Sequence, residues 1–241
     1  MKAANLSKEP SYPRLVPAGD SAWTVEFEET IDPLVNDQVL AFARAVERLT
    51  VRDLIEVVPA YRSVTVYFDP IRTDARSLGS RLLRLAGTRR GRRSRKRPTR
   101  VIPVLYGGDC GPDLMDLASH AGLPPDQVVT LHTSVEYRVY MLGFSPGFPY
   151  LGTVPPAIAM ARLSNPRPTV PAGSVGIAGA QTGIYPQETP GGWRLIGRTP
   201  LQLYLPSQPD PFLFQAGDRV RFVAIDQLEF DRLTNETKPS R

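Results

Sequence analysis

Two regions with different hydrophobic periods follow one another along the chain. In the first, Trp23, Val25 and Phe27 alternate with polar residues, which predicts a strand over Trp23–Glu28 with one apolar face. Asp32-Pro33 then supplies a helix N-cap followed by proline at the first helical position. Val35, Val39, Phe42, Val46 and Leu49 follow at spacings of four, three, four and three, which puts one buried stripe on a helix. Leu54–Val58 and Ser63–Phe68 read as two short strands separated by Pro59-Ala60-Tyr61-Arg62, and Asp69-Pro70 stops the second. Ala75, Leu78, Leu82 and Leu85 mark a second helix closing at Gly87. This β-α-β-β-α order predicts a small α+β unit over 11–87, with helices on one face of an antiparallel sheet.

From Val101 the pattern changes. Val101–Leu105 reads as a strand, and Gly107-Gly108-Asp109 turns into a helix with Leu114, Leu117 and Ala118 inward. Pro124-Pro125-Asp126 opens another helix through Val128, Val129 and Leu131, and Val135, Tyr137, Val139 and Met141 alternate as a strand. The run from Leu142 to Leu205 is rich in glycine, proline and aromatic residues and poor in charge. Its prolines forbid long helices, and its glycines at 173, 176, 179 and 183 permit positive φ and close backbone approach. Irregular β structure around a small concave site is expected, with Phe144, Phe148, Tyr150, Tyr185 and Trp193 supplying rigid apolar faces. Two further strands are expected at Leu201, Leu203 and Leu205, and at Val220, Phe222 and Ala224 after the Gly217-Asp218 turn. Short strands with tight turns favour a barrel or sandwich over 101–230, and the polar end, 231–241, reads as a frayed tail.

Composition narrows the chemistry. The chain has 241 residues and a formal charge of +5, but eight basic residues and no acid fall between Arg89 and Arg100. Without that run the charge is −3, so the basic character is a linker (88–100), not a folded basic face. No aromatics interleave with its arginines, which argues against a nucleic-acid stacking platform. A single cysteine, Cys110, with no apolar leader and no long apolar run, fits a cytoplasmic protein without a membrane span. The four lysines, Lys2, Lys8, Lys96 and Lys238, all lie in the termini or the linker. A Schiff-base lysine, a P-loop lysine and a biotin-bearing lysine are therefore not expected in either folded region, and Ala159-Met160-Ala161 lacks the lysine of a biotin site. Two histidines and one cysteine cannot complete a Cys/His zinc site without carboxylates, so no metal ligands are assigned.

Single residues add narrower readings. His120, before Gly122, meets the negative end of a helix dipole. His132, at a helix-to-strand junction, stands open between a satisfied structural histidine and a site residue. Gly143-Phe144-Ser145-Pro146-Gly147 matches G-x-S-x-G by letter only. That motif needs a helix and a backbone N–H directly after the serine, and Pro146 supplies neither. The glycines of Pro171–Pro186 fit neither nucleotide fingerprint, and Gln181 and Thr182 are polar residues in a small-residue run. Arg167, Arg194 and Arg198 could each grip a carboxylate or phosphate, with Arg198 the best placed.

The strings GFSPGFPYLG, RPTVPAGSVGIAGAQTGIYPQETPGGWRLIGRTPL and PFLFQAGDRVRF closely resemble the KipI / allophanate hydrolase subunit 1 / 5-oxoprolinase B-subunit (PxpB) family. VPAYRSVTVYFDP, YGGDCGPDLMDLASHAGL and VVTLHTSVEYRVYMLGF extend the likeness over nearly the whole chain. The resemblance implies an α+β N-terminal domain followed by a mainly-β cyclophilin-like barrel domain. It also implies work beside a homologous C-subunit (subunit 2) and a LamB/YcsF-type A-subunit, in ATP-dependent opening of 5-oxoproline to glutamate. ATP with magnesium would be shared with, or held by, a partner. Matching positions put His132 and Arg198 forward as catalytic, and Phe144, Pro146, Gly147, Phe148, Tyr150, Gln181, Thr182 and Tyr185 as substrate-binding. The family names also leave open an inhibitor of a sensor histidine kinase and an allophanate- or urea-processing carboxyltransferase subunit.

Overall fold

The structure, a computed structural model, describes residues 11–49, 54–88 and 99–237. The chain divides into two compact units, Met1–Arg95 and Lys96–Arg241. The first holds β1 (Arg14–Pro17), β2 (Ala22–Glu26), α1 (Pro33–Glu47), β3 (Leu54–Pro59), β4 (Ser63–Phe68) and α2 (Ala75–Thr88). Its sheet is antiparallel in the order β1-β2-β4-β3. Val25, Phe27, Val64, Val66 and Phe68 pack into one core with Val35, Val39, Phe42, Val46, Leu78 and Leu82 of the helices. The Asp32 cap is made as the sequence predicts, its carboxylate accepting from the N–H groups of Leu34 and Val35. Strand β1 has no counterpart in the sequence reading, because the three residues between Pro13 and Pro17 carry too little alternation to register.

The second unit holds β5 (Thr99–Tyr106), α3 (Leu114–Ala121), α4 (Pro125–Thr133), β6 (Tyr137–Leu142), β7 (Pro149–Gly152), β8 (Arg167–Val170), β9 (Ser174–Ala178), β10 (Gln181–Ile184), β11 (Thr189–Gly191), β12 (Arg194–Arg198), β13 (Arg219–Ala224) and α5 (Gln227–Thr237). Seven strands close a barrel in the order β10-β7-β6-β13-β5-β12-β9, parallel only between β13 and β5. Strands β8 and β11 form a separate ribbon. Alternate residues of the wall point inward, so Ile102, Val104, Val139, Leu151, Val175, Ile177, Ile184, Ile196, Val220 and Phe222 fill the interior.

Three expectations are corrected. Leu201–Leu205 is not a strand: Pro200, Pro206, Pro209 and Pro211 withhold ladder donors, and only the single bridge Tyr204–Phe212 forms. Of the expected frayed tail, Asp231–Thr237 lies in α5, and 238–241 lies outside the described residues. Asp226 accepts the Glu229 N–H at 2.8 Å, and Arg232 pairs with Glu229 and Glu236 at 2.7 and 2.6 Å, which supports a polar helix locally. The linker bounds also move inward: Thr88 ends α2, and Thr99 and Arg100 open β5, while 89–98 lies outside the described residues.

One polar chain crosses the barrel interior. The Thr182 Oγ1 hydroxyl donates to the Gly176 carbonyl at 3.0 Å, so toward His132 Nε2, also at 3.0 Å, it must accept. Nε2 then carries the proton, and Nδ1 accepts from the Tyr106 hydroxyl at 2.8 Å. The His132 ring is fully buried and stacks on Phe222 with centroids 4.6 Å apart. The Tyr137 hydroxyl donates to the His132 carbonyl at 2.9 Å. Burial lowers the imidazole pKa to about 3, so it stays neutral. Strand β5, helix α4, β10 and β9 are thus joined by a fully paired chain.

Two outcomes check these statements. Asp32→Ala should lower stability by about 1 kcal/mol in urea unfolding, the usual cost of losing such a cap. The unfolded chain binds a proton on His132 below about 6.5 that the folded chain refuses, so folded-state stability falls as pH drops from there toward 3. That contribution has a slope of up to about 1.4 kcal/mol per pH unit and is flat above neutrality. Unfolding of wild type and His132→Gln between pH 4 and 8 should differ by that slope; identical slopes would mean that the imidazole is not held neutral.

Candidate functional site

The site grows from the outer face of the barrel wall. Gly183 of β10 stands opposite Gly176 of β9, and their inward neighbours Thr182 and Ile177 turn into the core. The two glycines therefore leave a patch without Cβ atoms on the outside. A Cβ on Gly183 would lie 2.8 Å from Phe148 Cζ, and one on Gly176 would lie 3.0 Å from Trp193 Cβ. The Phe148 ring and the Trp193 Cβ thus rest on bare backbone, which only glycine permits.

On this floor Phe148 packs edge-on against Tyr150, Tyr185 and Trp193, with centroids 4.9, 5.2 and 5.3 Å away. Phe144 adds a fifth ring, 5.6 Å from Phe148, and is 63% exposed at the mouth with φ of 65°. The turn that delivers it runs from Ser145 to Phe148, closed by Phe148 N–H to Ser145 O at 3.0 Å, with Pro146 second and Gly147 third at φ of 81°. That is a type II turn and no helix follows it, so the geometry of a nucleophile elbow is missing. The opposite wall comes from the β8–β11 ribbon through Pro190 and Gly191, and from Pro166 and Gly192. The hollow measures about 330 Å³, and among the described residues Arg162 is the only charged one in its lining. Burial pushes the Tyr150 and Tyr185 phenols upward, so both stay protonated. Such a cavity can hold and dehydrate a flat, uncharged group; it offers no group that exchanges protons near neutrality.

The sequence-predicted site residues separate into distinct places. Phe144, Phe148, Tyr150 and Tyr185 line the aromatic cavity together. Pro146 and Gly147 shape its turn from behind, where a Cβ on Gly147 would lie 3.1 Å from Phe212. Thr182 and His132 lie in the barrel interior and line neither this cavity nor the one around Arg198, and Gln181, at the start of β10, is also outside both linings. Arg198 faces a second cavity of about 500 Å³ on the other side of Tyr185-Pro186, with Gly173, Glu188, Tyr204 and Phe230. The hollow is thus on the wall's outer side, not within the barrel, which is filled by side chains.

Among the other arginines, Arg167 is taken: its Nη2 donates to Asp113 Oδ1 at 2.7 Å, while Asp113 Oδ2 accepts the Leu195 N–H at 2.7 Å. Arg194 approaches Asp116 at 3.7 Å. Trp193, one of the expected rings but absent from the substrate-binding set, lines the same cavity. Arg162 and the ribbon residues were missed as lining because nothing in their spacing links them to GFSPGFPY. Tyr106 was missed as the His132 partner for the same reason: they lie 26 positions apart and meet only once the barrel closes.

The carboxyltransferase domain, subdomain C and D, matches residues 13–214. The 5-oxoprolinase B-subunit of Bacillus subtilis (strain 168) is 43% identical over 235 residues, covering 91% of this chain and 95% of that protein. The crystal structure of TTHA0988 superposes with a TM-score of 0.75 at 41% identity over 85% of this chain, which spans 40% of that longer one. Urea carboxylase of Kluyveromyces lactis superposes with a TM-score of 0.75 over 92% of this chain and 22% of its own; at 19% identity it shows the shared fold alone. On the domain match and the near full-length identity together, this chain belongs to the 5-oxoprolinase B-subunit family, built on the carboxyltransferase domain, subdomain C and D.

Proposed function

We propose that this chain is the B-subunit of an ATP-dependent 5-oxoprolinase, a cytoplasmic lactam hydrolase in which it is inactive alone. It works beside a homologous C-subunit (subunit 2) and a LamB/YcsF-type A-subunit. The observation that carries this reading is the 43% identity to the Bacillus subtilis B-subunit over 95% of that protein's length. The same reading makes the two units independent domains, the second a cyclophilin-like barrel.

The residues present fit a binding role better than a complete catalytic one. An unactivated amide is a poor electrophile, and phosphorylation of its oxygen would create a leaving group. The described residues do not fit a magnesium–ATP site. No group of three His, Cys, Asp or Glu comes together among them, and Lys2, Lys8, Lys96 and Lys238 all lie outside them. Nucleotide and metal then belong to a partner or to a surface shared with one. What this chain supplies is the aromatic cavity, which takes the flat lactam ring, removes water from it and holds it for chemistry completed elsewhere. His132 acts on this site by position, since its neutral ring fixes β10 beneath Phe148.

Purified alone, the chain should hydrolyse no ATP in response to 5-oxoproline, and adding the C- and A-subunits should restore turnover; a silent complete mixture would remove the enzymatic reading. In that mixture Phe144→Ala should raise KM for 5-oxoproline about fivefold with kcat largely kept, as expected for losing about 1 kcal/mol of ring contact. Ser145→Ala should leave both constants within about twofold, because its buried Oγ has no hydrogen-bond partner and no elbow to act from. Abolished turnover with the fold intact would restore Ser145 as a nucleophile.

A further inference from the structure

The second cavity has a chemistry unlike the first. Its lining includes one cation, Arg198, and one carboxylate, Glu188, with amides from Gln187 and Gln202 and hydroxyls from Thr199 and Thr234. Arg198 Nε is buried and has no hydrogen-bond partner. Among the described residues neither Arg198 nor Glu188 is held in an ion pair. In β-sheet register Arg198 stands opposite Ser174, and directly paired residues place their side chains on one face. Ser174 is fully buried, and its Oγ is also unpartnered. Of these two unpartnered atoms on one sheet face, Arg198 belongs to the cavity lining and Ser174 lies behind it; a buried group left unpaired costs about 1–3 kcal/mol, so the Arg198 Nε is where a ligand would be held.

A cavity with one free cation inside and one carboxylate at its exposed rim is not matched to a multiply charged anion. Phosphate would gain Arg198 and meet Glu188. The matching ligand carries a carboxylate at one end and an ammonium a few atoms away. We propose that this cavity binds a free α-amino acid as its zwitterion, carboxylate on Arg198 and ammonium toward Glu188, at a site separate from the aromatic cavity. Helix α5 closes it with Phe230 and Thr234, beyond residue 214, where the domain match ends. If the reading as a 5-oxoprolinase component holds, the reaction's open-chain product is an amino acid of this class, and the cavity is where that product reports on the protein. The binding itself does not depend on that reading.

The full chain, labelled with ¹⁵N, is titrated with L-glutamate while the arginine Nε–H resonances are followed, that of Arg198 being the one lost in Arg198→Lys. L-Glutamate should move this resonance saturably, whereas N-acetyl-L-glutamate, which lacks the ammonium, and inorganic phosphate should not. Glu188→Gln, an exposed change that should leave the remaining spectrum in place, should raise the half-saturation concentration for glutamate about tenfold, a loss of about 1.4 kcal/mol. No response to glutamate overturns the proposal. An equal response to N-acetylglutamate or phosphate also overturns it, leaving only a bare anion contact. Turnover in the reconstituted mixture without this binding would discard the cavity's role and leave the enzymatic reading intact.

Discussion

The barrel depends on an imidazole that cannot take a second proton. His132 receives one hydrogen bond and gives another, and each partner is fixed by its own place in the wall: Tyr106 at the end of β5 and Thr182 on β10, itself tied to Gly176. Protonation would set two donors, Nδ1–H and the Tyr106 hydroxyl, against each other in a dry interior, at a cost the surrounding apolar side chains cannot offset. Because the neutral ring has one donor and one acceptor, it can run a hydrogen-bond chain in a single direction across the core.

What this chain fixes on the inside determines what stands on the outside. In a closed barrel the strand period of two makes every inward residue flank an outward one. Thr182, anchored inward, has Gly183 as its outward neighbour, and Gly183 with Gly176 forms the bare floor under Phe148 and Trp193. The rings then stack edge to face, and the proline turn at Pro146-Gly147 sets Phe144 over them. Packing order therefore runs from a buried polar chain, through two glycines, to an aromatic hollow.

Much of this was legible in the sequence, and the gaps have physical causes. The stripe from Val35 to Val46 and the Asp32-Pro33 cap encode α1 locally, so it appears where the spacing predicts. The aromatic cluster was legible because GFSPGFPY concentrates rings around turn residues. The Leu201–Leu205 strand failed because leucine alternation ignores whether a partner can reach the backbone between so many prolines. Helix α5 was hidden because its stability lies in ion pairs, not in an apolar stripe. Family likeness groups His132 and Arg198 with the rings; only the closed barrel shows that the first lies in the interior and the second faces a different cavity.

The two cavities divide by chemistry: an aromatic hollow with Arg162 as the charged residue of its lining among those described, and a polar one with a guanidinium and a carboxylate. Both depend on β9 and β10 being held in place, the first through Gly176 and Gly183 and the second through Gly173, just before β9, and Arg198, which pairs with Ser174. The state of the His132 ring is therefore the most direct measure of the account. In ¹⁵N-resolved spectra of the side chain, its nitrogens should show the neutral Nε2–H tautomer unchanged from pH 8 down to 5. A titration centred near the ordinary histidine value, or a proton found on Nδ1, would contradict it.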